Sequence, residues 1–156
     1  MKYCFGDLYD AIESGDSELV YKILSEQPTL LYEKDKYGFT AIHAIASADD
    51  DEIAKFILKK TVDINTKNEE GITALHIVLY PEIAQLLIDN GADINVTDNQ
   101  GNTPLHIHAS DGDETFDVIE MLLNNGADKT IKNKLNEEPY DIAAQRQDTD
   151  NMRILK

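Results

Sequence analysis

The sequence predicts an all-α solenoid: a row of about five helix-turn-helix units, two of them caps, joined by β-hairpin loops. Three observations carry this. A six-residue phrase occurs three times, as Gly38-Phe39-Thr40-Ala41-Ile42-His43, Gly71-Ile72-Thr73-Ala74-Leu75-His76 and Gly101-Asn102-Thr103-Pro104-Leu105-His106. A second phrase trails the copies, as Val62-Asp63-Ile64-Asn65, Gly91-Ala92-Asp93-Ile94-Asn95 and Gly126-Ala127-Asp128-Lys129. Between them a helical stripe recurs: Ile53, Ala54, Ile57 and Leu58, then Ile83, Ala84, Leu87 and Ile88, then Val118, Ile119, Leu122 and Leu123. No unit buries such a stripe alone, so neighbours must stack and the core becomes a line of interfaces.

The units follow in order. Residues 1–35 form an N-terminal cap, in which Asp10-Ala11-Ile12-Glu13-Ser14-Gly15-Asp16 followed by Leu19, Val20, Ile23 and Leu24 is a two-helix body without a leading hairpin. Residues 36–68 are the first full unit. Gly38 permits the positive φ of a tight turn, Thr40 caps the next helix by accepting a backbone N–H, and Ala41 is a good helix former at its first position. Residues 69–98 repeat this in a shorter form: Gly38 to Gly71 is 33 residues, but Gly71 to Gly101 is 30. Only Tyr80 and Pro81 separate Leu79 from Glu82, so the first helix of that unit should end abruptly. Residues 99–133 start with Pro104 where a first-turn residue needs no N–H, and they gain an acidic interhelix loop, Ser110-Asp111-Gly112-Asp113-Glu114-Thr115-Phe116-Asp117. Residues 134–156, with the degraded phrase Glu138-Pro139-Tyr140-Asp141-Ile142-Ala143, read as a C-terminal cap.

The repeated phrase is similar to the T-P-L-H-x-A signature of the ankyrin repeat family, and the chain resembles that family from about residue 5 to residue 156, as one domain. The resemblance implies a non-catalytic protein-binding module whose hairpin tips and first helices form a concave groove. It also implies that His43, His76 and His106 are structural, bridging backbone groups between hairpins. Its tip positions here are Lys36, Tyr37 and Phe39, then Glu69, Glu70 and Ile72, then Asn99, Gln100 and Asn102, then Lys134, Leu135 and Glu137. The ends of the first helices add Ser47 with Ala48, Tyr80, and Ser110 with Asp111. From these the expected partner-binding set is Tyr37, Phe39, Glu69, Glu70, Ile72, Tyr80, Asn99, Asn102 and Asp111. Stacking does not require Tyr37, Phe39, Ile72 and Tyr80 to be apolar, and exposed aromatic groups often anchor interfaces. The competing reading has Phe39 and Ile72 packing tip against tip along the row.

Charge bounds the partner. Thirty acidic against fourteen basic residues give a net charge of −16, which repels phosphate backbones and steers a basic protein inward. Solubility alone is the other explanation of that balance. No stretch of the sequence approaches the length of a membrane helix, and the start carries no apolar signal core, so a cytoplasmic monomer without membrane contact is expected. The lone Cys4 excludes an intramolecular disulfide and fits a reducing compartment, or a small buried residue in the cap.

Fragments that imitate catalytic or metal sites lose to the repeat. Asp111-Gly112-Asp113-Glu114-Thr115 matches a D-x-D-x-T phosphotransfer motif, but that chemistry needs the first aspartate at the end of a buried parallel strand. Asp111, Asp113 and Asp117 lack the twelfth-position Glu of a calcium loop. His106 and His108, two apart on a helix, point to different sides, and His108, in place of the usual alanine, marks an exposed or locally repacked position. Asn95-Val96-Thr97 is a glycosylation sequon that should be inert without secretion. No phosphate-binding, nucleophile-elbow or zinc-protease motif occurs, so no enzyme and no cofactor are expected. Three roles remain: an inhibitor or immunity-type protein neutralising a basic target, a scaffold, and a host-directed effector using the same groove.

Overall fold

The computed structural model describes residues 3–60, 62–112 and 115–156. Ten α-helices are present among them: α1 (Phe5–Glu13), α2 (Ser17–Glu26), α3 (Ala41–Ser47), α4 (Asp51–Leu58), α5 (Ala74–Ile77), α6 (Pro81–Asp89), α7 (Pro104–Asp111), α8 (Phe116–Asn124), α9 (Pro139–Arg146) and α10 (Thr149–Leu155), with a 3₁₀ turn at Pro28–Tyr32. Consecutive helices pair, and the pairs stack in two rows. An inner row runs α1, α3, α5, α7, α9, and an outer row runs α2, α4, α6, α8, α10. The core lies between the rows as one continuous cluster from Leu8 to Leu155. Its outer-row contribution is the sequence stripe: Ile53, Ala54, Ile57, Ile83, Ala84, Leu87, Val118, Ile119 and Leu122 are all buried.

Each central inner-row helix starts as a reciprocal capping box. Thr40, Thr73 and Thr103 are the N-caps, and the histidine three residues on returns a bond to the threonine's own backbone N–H, at 3.1 Å in every copy. The caps therefore satisfy orphan helix-end donors with side chains that the repeat phrase itself supplies. Pro104 occupies the first helical position of α7, where its missing N–H costs nothing.

The irregular units show how length changes are absorbed. With residues deleted, α5 spans only four residues, and the chain leaving it bonds back to the preceding unit through Leu79 N–H and Ala46 C=O at 2.9 Å. In the next unit α7 runs on to Asp111 and stops at Gly112, φ 88°. Thr115 donates its hydroxyl to the His108 carbonyl at 2.7 Å, covering an acceptor that the helix end leaves open. Fully buried Asn151 of α10 donates to the Gly112 carbonyl at 3.3 Å and to Asp148 Oδ2 at 2.6 Å, tying the last helix pair to that same bend. Asp113 and Glu114, hence part of the expected D-x-D-x-T and calcium readings, lie outside the described residues.

The connections are the expected hairpin loops: each tip is closed across its base by a backbone bond, such as Asp35 N–H to Phe39 C=O at 3.0 Å, though among the described residues the arms are too short to form strands. One expectation is corrected and one is narrowed. Ala48 is not an exposed helix end but fully buried, because the chain turns inward there to start α4. Of the two readings of His108, exposed or locally repacked, the second holds: it is buried between inner helices, with Nε2 3.2 Å from the Leu75 carbonyl of the preceding unit. The early end of α5 leaves that carbonyl without a helical partner, and the histidine takes the place of the missing donor.

Gly71 shows how tightly adjacent tips meet. Its φ is 81°, and a Cβ there would sit 2.7 Å from both the backbone N and Oδ1 of Asn99 in the next tip. Gly91 has φ 94° but open space around it. We expect Gly71→Ala to destabilise the chain by at least about 1 kcal/mol more than Gly91→Ala in urea unfolding, since only the first adds a backbone clash to the left-handed strain. Equal losses would mean that the tips do not abut.

Candidate protein-binding surface

The tips are built by one device repeated four times. Asp35, Asn68, Asp98 and Asn133 each lie three residues before the turn glycine, or before Asn136 in the last copy, and each turns a side-chain oxygen onto two backbone N–H groups of its own turn. Asp98 Oδ1, for instance, accepts from Gln100 at 2.7 Å and Asn102 at 2.8 Å. Such side-chain-closed turns need no partner strand. Asn136 adopts φ 64° in place of glycine, a region that Asn tolerates.

Successive tips are then tied together. Glu69 N–H donates to Tyr37 C=O, Asn99 N–H to Glu70 C=O and Lys134 N–H to Gln100 C=O, each at 2.9 Å. Below them the histidines bridge units as the resemblance implies: Nε2 of His43, His76 and His106 lies 3.0, 3.1 and 3.0 Å from the carbonyls of Ile72, Asn102 and Glu137. A carbonyl only accepts, so Nε2 carries the proton. Nδ1 accepts the threonine N–H, so it cannot. Each ring is thus held as the neutral Nε2–H tautomer, and burial pushes its pKa below the ordinary histidine value despite the opposing pull of the bridged carbonyl. The result is a rigid row of tips on buried neutral hinges.

The expected binding residues do not all share one surface. Glu69, Glu70, Ile72 and Asn99 line a shallow depression of about 380 Å³ at the second and third tips, together with Asp98 and Gln100. No lysine or arginine lies within 4.0 Å of its carboxylates among the described residues, whose ion pairs are Lys55 with Asp51 and Lys132 with Glu138. Tyr37 stands at one end of the row, 54% exposed with Lys36 Nζ over its ring at 4.7 Å, and Leu135 stands at the other, 78% exposed. Phe39 is half-buried, its ring edge-on to His43 at 5.2 Å. Asn102 is spent on Asp98 and Asn133. Tyr80, at the N-cap of α6, is half-buried against the core. Asp111 lies exposed at the end of α7, apart from the depression, with its carboxyl pushed up by desolvation.

Asp98 was missed as a lining residue, although its signal was present: an Asp or Asn three residues before each turn Gly. Cys4 is exposed. Among the described residues no three His, Cys, Asp or Glu side chains gather to hold a metal ion, and no helix is long and apolar enough to cross a membrane.

A family model described as ankyrin repeats (3 copies) matches residues 8–98 and again 79–156. The chain belongs to the ankyrin repeat family. Ankyrin repeats generally serve as protein–protein interaction modules, and the family is in general non-enzymatic. In this ankyrin chain the two matches cover the tips, both helix rows and the C-terminal pair. No match is found among curated proteins.

Proposed function

We propose that this ankyrin chain binds a basic protein through its tip row and the adjoining ends of the inner helices, and acts by occluding or scaffolding that partner. One observation carries the reading. Among the described residues Glu69, Glu70 and Asp98 have no cationic side chain within 4.0 Å, and they stand on a row of turns between the exposed apolar side chains of Tyr37 and Leu135. Lysine or arginine side chains of a partner would meet the carboxylates, while its apolar side chains would rest on the flanking tyrosine and leucine. The net charge of −16 favours the same partner by accelerating encounter. A row of this length supports an interface of about 800 Å² per side, and stoichiometric inhibition of a basic enzyme is its narrowest form.

The test is affinity capture from native lysate at low and high salt, followed by quantitative binding of the captured protein. Tyr37→Ala with Glu70→Lys is expected to weaken binding at least about tenfold, while stability changes by less than about 0.5 kcal/mol because both side chains are exposed. Phe39→Ala is the contrasting case: it removes ring contact with His43, so stability should fall along with any binding. Undiminished capture by the Tyr37/Glu70 variant would remove the tip row as the site.

A further inference from the structure

The outer row carries a second surface, aromatic and edged by lysines. Between α2, the 3₁₀ turn and α4 lies an open pocket of about 270 Å³ lined by Tyr21, Leu24, Leu31, Tyr32, Phe56 and Lys60, among others. It sits on the outer helices and shares no lining residue with the acidic depression at the tips. Its walls are held in place: Tyr21 and Phe56 pack edge to face at 4.6 Å, and Lys60 Nζ lies over the Phe56 ring at 4.5 Å. Tyr21 and Tyr32 are two of the five large hydrophobic side chains left exposed among the described residues, at 39% and 58%.

Charge selects the occupant. Lys34 lines the adjoining cavity beside Tyr32, together with Asp63, and Lys59 lines another beside Tyr21 and Phe56, together with Glu52 and the Asp51-paired Lys55. Lys34, Lys59 and Lys60 have no carboxylate within 4.0 Å among the described residues, in a chain whose acids outnumber its bases by 30 to 14. With carboxylates in such excess, Lys60 in the pocket wall and Lys34 and Lys59 in the two adjoining cavities give this face a share of lysines that the chain as a whole lacks. The pocket accepts one bulky apolar side chain, and the lysines at its rim accept carboxylates beside it.

We infer that this outer pocket is a second docking site, for a protein segment presenting a leucine-sized or aromatic side chain flanked by Asp or Glu. Nucleic acid and anionic membrane are disfavoured, because the approaching phosphates would face the whole chain's net charge of −16, whereas a short acidic segment needs to meet only the local lysines. The tip row and this pocket then take partners of opposite charge on different faces, so that both can be held at once.

A random dodecapeptide phage library tests this on the full chain. The library is first depleted on a Tyr32→Ser/Lys60→Glu variant, whose two substitutions are on exposed side chains, and then panned on the unaltered chain. The expected product is peptides combining Leu or Phe with Asp or Glu. Their synthetic forms should lose about tenfold or more in affinity on the Tyr32→Ser/Lys60→Glu variant and almost none on Tyr37→Ala, with binding weakening as salt rises. An empty selection, or enrichment of basic peptides, overturns the inference. Stronger binding of a single-stranded oligonucleotide or of phosphatidylserine vesicles than of the selected peptides, lost in the same variant, would also overturn it, by showing that the lysines read phosphate.

Discussion

Leu87→Ala is expected to lower the stability of the chain by about 2 to 5 kcal/mol, the range for emptying a buried leucine site. Leu87 is fully buried in α6, which packs between α4 and α8. The loss should lie in the upper part of that range, because α4 and α8 hold the site from both sides and limit its collapse. In a solenoid each interface couples two neighbours, so weakening the middle one weakens the link between the halves. Urea unfolding followed by circular dichroism reads both effects. The midpoint should fall, and a shallower transition would show the halves unfolding separately. Coincident curves for variant and parent would place Leu87 outside the core.

Acidification is expected to destabilise the chain between pH 6.5 and about 4, with His108 the largest single contributor among the histidines. Burial pushes its pKa down from 6.5 to about 4, and Nε2 must keep its proton to meet the Leu75 carbonyl. Charging the ring would therefore place a second proton on Nδ1, which has no hydrogen-bond partner among the described residues, beside the neighbouring His76. The direction follows from linkage. Above pH 6.5 the ring is neutral in both folded and unfolded chains, and its contribution to stability is constant. Below 6.5 the unfolded chain binds a proton that the folded chain refuses, so stability falls until the pH reaches the folded value. For a shift of that size the loss is about 3 kcal/mol. His43, His76 and His106 are lowered in the same direction and add to it. Stability measured in urea at pH 7 and pH 4.5 for the parent and His108→Ala gives the test. The variant's pH dependence should be shallower by about 2 to 3 kcal/mol. Parallel pH profiles would show that His108 is not held neutral.

Much of the fold was readable because its determinants are local. The Thr-x-x-His phrase places both halves of a capping box within one helical turn, so the start of α3, α5 and α7 could be read without any knowledge of neighbours. The stripe in α4, α6 and α8 is equally local, since the helical period alone aligns its residues on one face. The early end of α5 followed from the missing residues between Leu79 and Glu82.

The candidate surface was only half readable, and the failures share a cause. Tyr37 and Phe39 flank the same glycine and looked alike, yet Tyr37 is exposed while Phe39 rests on His43, a distinction set by where the turn points each ring. Tyr80 looked free at the end of a first helix, yet it is half-buried against the core. The outer pocket joins α2, a 3₁₀ turn and α4, segments whose aromatic residues carry no shared pattern in the sequence.

What the sequence by itself determined was the repeating unit: its turn, its cap, its apolar stripe and its acidic character, all fixed by residues a few positions apart. What only the tertiary structure decided was exposure and partnership across units. The burial of His108 depends on a carbonyl 33 residues earlier, and the tip row depends on backbone bonds from one turn to the next. The physical reason is that a stacked array makes the neighbouring unit the solvent for each residue, and that neighbour's irregular lengths determine which side chains remain in water.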